Sequence, residues 1–337
     1  MRSLLPLTFA LVAALLISPG PVLAEGEEQA ACGGNDMLVR MAQEDPALLE
    51  RLRTEAAAVP HGTGLLWRIA RDGVADSFLY GTMHMTDPRV TELPKNAQAA
   101  FDAAKTVVIE TLEAGDPASM SALMLEKPEL LMFTDSQSLT RLIKAEDRSV
   151  VEAAFAARGV PLGSLAKTKP WVVAAMIALP ACEAARQAAG VDVLDLKLAA
   201  DAKAAGKRLA GLERMDEQLE AMASLPMSFH MDGLVETARL GDRIADVYQT
   251  MIGIYRRGEL GLFWPFFRVA LPGGGGETYA AFQETMVAAR NRLMAKRAEP
   301  ILAGGGAFVA VGALHLPGEA GLVSLLSTAG YRLSPVE

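Results

Sequence analysis

The 337 residues predict an α/β protein, on three observations. Short apolar runs of strand length stand at residues 65–69, 77–80, 106–109 and 308–311, several closing on glycine or a carboxylate. Between them lie long stretches with helical periodicity. One phrase also occurs twice: Ser77-Phe78-Leu79-Tyr80-Gly81-Thr82-Met83-His84 returns as Phe308-Val309-Ala310-Val311-Gly312-Ala313-Leu314-His315. The chain has four histidines, and two hold the same place in this phrase, three residues after a glycine. Glycine at a strand end allows a turn or a close approach of two backbones. The histidine beyond it falls at the sheet edge, where open α/β sheets keep their ligand sites.

In chain order, residues 1–24 read as a secretory signal peptide. Arg2 precedes an apolar run, and Val22-Leu23-Ala24 offers small or apolar residues at the cleavage position. The run is short for a bilayer span, which needs about 20 apolar residues. Cys32 lies beyond three glutamates, too far from the run for a lipoprotein anchor. Cleavage would remove one positive charge, Arg2, taking the net charge from −8 to −9. An acidic chain with no basic cluster excludes nucleic acid as a partner. Export to the periplasm or medium would let Cys32 and Cys182 form a disulfide.

Residues 25–60 form an N-terminal helical arm, with Met37, Leu38, Met41, Leu48, Leu49 and Leu52 at helical spacing. The remainder, 61–337, reads as one domain with a helical insertion at about 115–300. It opens with a hairpin turning at Arg71-Asp72-Gly73. A helix from Pro94 to Ala104 leads to the strand 106–109, which ends in Glu110. Helices then run to about Leu212. Among them are an apolar core helix opened by Lys169-Pro170-Trp171 and an Ala-rich helix from Val193 to Ala205, after which a strand from Lys207 closes on Glu213. Residues 262–267 cluster aromatics, more readily core than a substrate- or membrane-facing patch. The four glycines 273–276 lack the lysine of a phosphate loop and read as a flexible connection. A long amphipathic helix from Tyr279 to Glu299 carries Arg290-Asn291-Arg292 before the second strand-glycine-histidine phrase, a helix and a last strand.

Four strand ends therefore carry His84, Glu110, Glu213 and His315. If the strands share one sheet in one direction, two imidazoles and two carboxylates meet at its edge. Such a set suits Zn, Mn or Co. A metal would activate water, and a carboxylate not bound to it would act as general base. Asp87 is placed either to orient His84 or to shape the turn before Pro88. No Gly-x-Ser-x-Gly elbow is present, and both cysteines look structural.

The phrase Leu79-Tyr80-Gly81-Thr82-Met83-His84, the Glu110 strand, Lys207 to Glu213 with Gln218, Arg290-Asn291-Arg292 and the phrase from Ala310 to Gly318 resemble the TraB/GumN family, which is related to the Tiki membrane-anchored metalloproteases. The resemblance runs from about Leu65 to the end. It implies a mixed central sheet of two related halves, each giving one histidine to a shared site, with His84 and His315 as metal ligands. It matches Glu110 and Glu213 to the family's strand-end glutamates. Arg290 and Asn291 match a polar pair on the late helix; Arg290 would pair with a glutamate or a substrate carboxylate, and Asn291 would orient water or an oxyanion. Where the family often has Trp before a Gly-acid pair, Tyr255 precedes Gly258-Glu259. The Tiki likeness implies metal-dependent cleavage of a peptide or protein substrate. With no anchor expected after signal removal, surface-tethered cleavage is not carried over. A haem- or metal-binding module and a non-catalytic envelope or polysaccharide accessory protein are the alternatives.

Overall fold

The computed structural model describes residues 32–113, 115–271 and 277–337. The proposed signal peptide and the run of four glycines lie outside these residues. The architecture is mixed α/β, as expected: one six-stranded sheet among many helices. The strands are β1 Leu66–Arg71, β2 Val74–Thr82, β3 Thr106–Ile109, β4 Arg208–Gly211, β5 Ala307–Gly312 and β6 Arg332–Pro335. Their spatial order is β4-β3-β5-β2-β1-β6.

β1 and β2 form the expected antiparallel hairpin, and Gly73 takes the positive φ (75°) that the tight turn requires. β2, β3, β4 and β5 run parallel, so all four leave the sheet at one edge. Thr82 lies opposite Gly312, and Ile109 opposite Gly211. These pairings bring the residues that follow, His84, Glu110, Glu213 and His315, to the same end. β5 is buried along its whole length, as expected for a central parallel strand read as a continuous apolar run.

Gly81 has a specific steric job. A Cβ there would lie 3.1 Å from the Ala313 Cα and 3.2 Å from the Ala313 Cβ. The two glycine-histidine turns thus pack backbone against backbone, which a side chain would obstruct.

Two apolar cores flank this edge. One surrounds the sheet and takes in Tyr80, Phe101 and Phe308, together with Met37, Leu38, Leu49 and Leu52 of the N-terminal helices Met37–Glu44 and Pro46–Ala57. The other lies within the helical stretch and is built on Phe155, Trp171, Phe229 and Phe282. Of the aromatic cluster, Phe263, Phe266 and Phe267 are core, while Trp264 packs against both apolar groups. Among the described residues no helix is long and apolar enough to cross a membrane.

Cys32 and Cys182 are joined in a disulfide, with Cα atoms 5.4 Å apart and a sequence separation of 150. It ties the segment before the first helix to the helix Ala181–Ala188. Closing so long a loop restricts the unfolded chain, so the double variant Cys32→Ser/Cys182→Ser is expected to lose about 2–5 kcal/mol of stability. Urea unfolding of both proteins checks this, and coincident midpoints would contradict it.

Candidate functional site at the sheet edge

His84 follows the end of β2. Its Nδ1 lies 2.6 Å from Oδ2 of Asp195, on the helix Leu194–Ala204. The other oxygen of Asp195 accepts from the Thr82 hydroxyl at 2.6 Å. The carboxylate can only accept when ionised, so Nδ1 carries a proton. Burial disfavours the imidazolium, but the charge and hydrogen bond of Asp195, with help from Glu110, outweigh it and raise the His84 pKa to about 9.

His315 lies in the short 3-10 turn Ala313–His315 after β5. Its partner is Asn291, fully buried on the helix Ala289–Leu302. The Asn291 amide nitrogen donates to the carbonyls of Ala320 (2.7 Å) and His315 (3.3 Å). Its Oδ1 therefore faces His315 Nδ1, at 2.6 Å, and fixes the proton on that nitrogen. Burial, with repulsion from Arg290 and His84, lowers the His315 pKa to about 3 despite the pull of Glu110. At neutral pH the 3.7 Å approach of His315 Nε2 to Glu110 Oε1 is consequently no ion pair.

Arg290 clasps both strand-end glutamates. Its Nη2 donates to Glu110 Oε2 (2.7 Å) and Glu213 Oε2 (2.6 Å), and its Nε to Glu213 Oε1 (3.0 Å). Gln218 Nε2 donates to the same pair, at 3.2 and 3.1 Å. The free oxygen of Glu110 accepts from the Gly312 N–H at 2.6 Å. Burial would raise the Glu110 pKa, but the Arg290 charge, the two histidines and this N–H hold it down to about 2. The helix bearing Arg290 begins just after a π turn, Glu284–Ala288, and Arg290 Nη1 donates to the Met286 carbonyl at 3.1 Å. Such turns within helices recur at functional sites.

The two histidines line one cleft with Glu110, Arg290 and Gln218, and Trp264, Phe282, Met286 and Leu314 add apolar lining. Glu213 is not part of the lining, and its side chain is wholly buried behind the guanidinium.

Several expected residues take different parts. Asp87 caps the short helix Pro88–Thr91 and pairs with Arg89 at 2.8 Å, so its carboxylate serves the turn, and Asp195 is the acid on His84. Asn291 has both amide atoms engaged on His315 and its loop, so they are not turned to a water or an oxyanion. Asp195 escaped sequence reading because an acid in the first turn of a helix is commonplace there. Tyr255 donates to the Gly81 carbonyl at 2.9 Å and so holds the first glycine turn.

Among the described residues no three His, Cys, Asp or Glu side chains stand grouped as a ready metal cage. The donor chemistry nevertheless fits a divalent ion. Both imidazoles are anchored through Nδ1–H to an oxygen, so Nε2 is the nitrogen left to meet an ion, for which His84 would give up its second proton, and this is how metal-binding histidines are held. Glu110 is the carboxylate on the Nε2 side of His315, at 3.7 Å.

A mixed sheet whose four parallel strands gather two anchored imidazoles and a clasped pair of glutamates at one edge defines a class of α/β proteins with a duplicated glycine-histidine turn. The chain belongs to the TraB/PrgY/gumN family, whose sequence profile matches residues 65–335. Among its relatives are Metalloprotease TIKI1 of Danio rerio, 25% identical over 311 residues, and Metalloprotease TIKI2 of Xenopus tropicalis, 26% identical over 313. Each alignment covers 80% of this chain but only 62% and 59% of the relative, so the chain spans about three fifths of their length. No solved structure matches it.

The opposed histidine shifts make a pH prediction. Between pH 6.5 and about 3 the unfolded chain takes a proton that folded His315 refuses, so stability falls with acid. His230, lowered to about 4 by burial, acts the same way, and Glu110 adds its loss below 4.5. His84 contributes fully below 6.5, and its stabilisation is lost as pH rises through 9. Chelator-treated protein should therefore melt highest near pH 6.5, and His84→Gln should flatten the alkaline limb. An alkaline limb unchanged in His84→Gln would refute the assignment.

Removing Arg290 leaves two buried carboxylates uncompensated. Arg290→Leu is expected to destabilise by about 3–5 kcal/mol, measured by denaturant unfolding, while Glu110→Gln in that background should recover part of it.

Proposed function

We propose that the protein is a divalent-metal-dependent hydrolase acting on a peptide or protein substrate. The observation that carries this reading is the anchoring of both imidazoles through Nδ1 at one sheet edge, beside an ionised carboxylate. The metalloprotease relatives support the reaction class. His84 Nε2 and His315 Nε2 would hold the ion, with Glu110 as the adjoining carboxylate. When bound, a divalent ion supplies Lewis acidity and makes water a nucleophile near neutral pH.

The chain's own residues do the rest. Asp195 and Asn291 keep a proton on Nδ1 of each imidazole and hold both rings in one orientation. Glu110, facing the cleft, is the carboxylate placed to take a proton from water and pass it to a leaving amine. The clasp of Arg290 makes Glu110 a weak base, so proton transfer requires that hydrogen bond to lengthen as substrate binds. Glu213 remains with Arg290 and keeps the guanidinium from collapsing onto Glu110 alone. Trp264, Phe282 and Met286 exclude water from one side.

Export would suit the same picture. The N-terminal sequence and the disulfide both suit an oxidising compartment, so we assign the protein to the periplasm or medium. The mature N-terminus of expressed protein should then be Glu25.

The test is metal content. Purified wild type should hold near-stoichiometric Zn, Mn or Co, and the His84→Ala/His315→Ala variant none. Glu110→Gln should lower peptide cleavage by about 10²–10⁴-fold. No metal uptake with any of the three ions, together with a Soret band on haem addition, would replace this reading with a binding module.

A further inference from the structure

We propose that Glu183 is a positioning residue for His84, acting through Thr86 and braced by the disulfide. This rests on His84 being a working imidazole of the site, as read above. Glu183 is 1% exposed and lies far from the cleft lining in sequence. Both its oxygens reach Thr86: Oε1 accepts the Thr86 N–H at 2.7 Å and Oε2 the Thr86 hydroxyl at 2.9 Å, while Gln187 Nε2 donates to Oε1 from the same helix at 3.1 Å. Thr86 stands two residues after His84, with buried Met85 between them.

A buried carboxylate is costly unless paired and hydrogen-bonded. Here the neighbouring cation is Arg186, one helical turn on. Its Nη1 is 3.7 Å from Glu183 and 3.7 Å from Asp87, and its Nη2 donates to Cys32 Sγ at 3.1 Å. Cys182 immediately precedes Glu183 and is bonded to Cys32. One stretch of helix thus carries the covalent anchor to the N-terminal segment and, beside it, the carboxylate and counter-charge that meet the loop leaving His84. The loop is held at its start by Tyr255 on the Gly81 carbonyl and at its end by Glu183 on Thr86, while Asp195 holds the imidazole. Two bonds from one carboxylate to a backbone N–H and its own side chain fix both position and rotamer, which is the requirement for a residue that aims its neighbour.

The decisive measurement reads His84 itself and needs no turnover. Proton NMR of the imidazole Nδ1–H, assigned by its loss in His84→Ala, reports the hydrogen bond to Asp195. The His315 Nδ1–H, held by Asn291, is the internal reference. Glu183→Ala and Thr86→Val should shift or broaden the His84 signal and leave that of His315 in place, and Thr86→Ser should restore it. Circular dichroism checks folding, and if Glu183→Ala does not fold the Thr86 pair decides. A His84 signal unmoved in Thr86→Val, or one that moves together with His315, overturns the proposal. In wild type that binds Co²⁺, affinity should fall about tenfold in Thr86→Val. A wild type that binds no Co²⁺ while its His84 signal still follows Thr86 would support the brace and defeat only the metallohydrolase reading.

Discussion

A guanidinium buried between two carboxylates governs this sheet edge. β3 and β4 run parallel, so Glu110 and Glu213 leave the sheet together, and like charges so placed repel strongly in a medium of low dielectric. Arg290 makes the arrangement tolerable, at the cost of its own desolvation. Its fork shape matters, because one planar group meets both carboxylates through separate N–H bonds, which an ammonium could not do as well. The clasp also sets the electrostatics of its neighbours: it holds Glu110 ionised and helps keep His315 neutral. The helical stretch, the late helix and the sheet must all be assembled before the three charges meet, so site and tertiary fold form together.

The two histidines show how one motif yields two environments. Each stands three residues after a glycine, yet one faces an aspartate and the other an asparagine. The carboxylate stabilises a cation and the amide does not, so the rings are pushed to opposite protonation states. Both devices hold a proton on Nδ1. That proton is thus the shared property and the charge the variable one, and on both rings Nε2 is the nitrogen left to meet a ligand.

Much of this was readable beforehand, for identifiable reasons. Strands such as β3 and β5 are uniformly apolar because a parallel strand is covered on both faces, and the following Glu110 and His315 mark where that cover ends. The disulfide was legible because only two cysteines exist. What escaped reading lies where one element reaches another from far along the chain. Asp195 meets His84 across 111 residues, and Glu183 meets Thr86 across 97. Each sits in a helix where an acid has an ordinary local explanation, so no spacing rule distinguishes it. Asp87 failed in the opposite sense. It was close to His84 in sequence, but the cap of the next helix and an adjacent arginine took its carboxylate.

The π turn at Glu284–Ala288 gives this edge a phase. A π turn amounts to an α-helix with one residue too many, and each residue of an α-helix turns the next by about 100°. The apolar wall at Phe282 and the charge at Arg290 lie on either side of that extra residue, and both face the same cleft. Phe282 and Arg290 are eight positions apart, which in an unbroken α-helix would set them about 80° from each other, and the wider π turn takes up that difference. The π turn therefore lets the greasy and the charged halves of the cleft confront the same ligand.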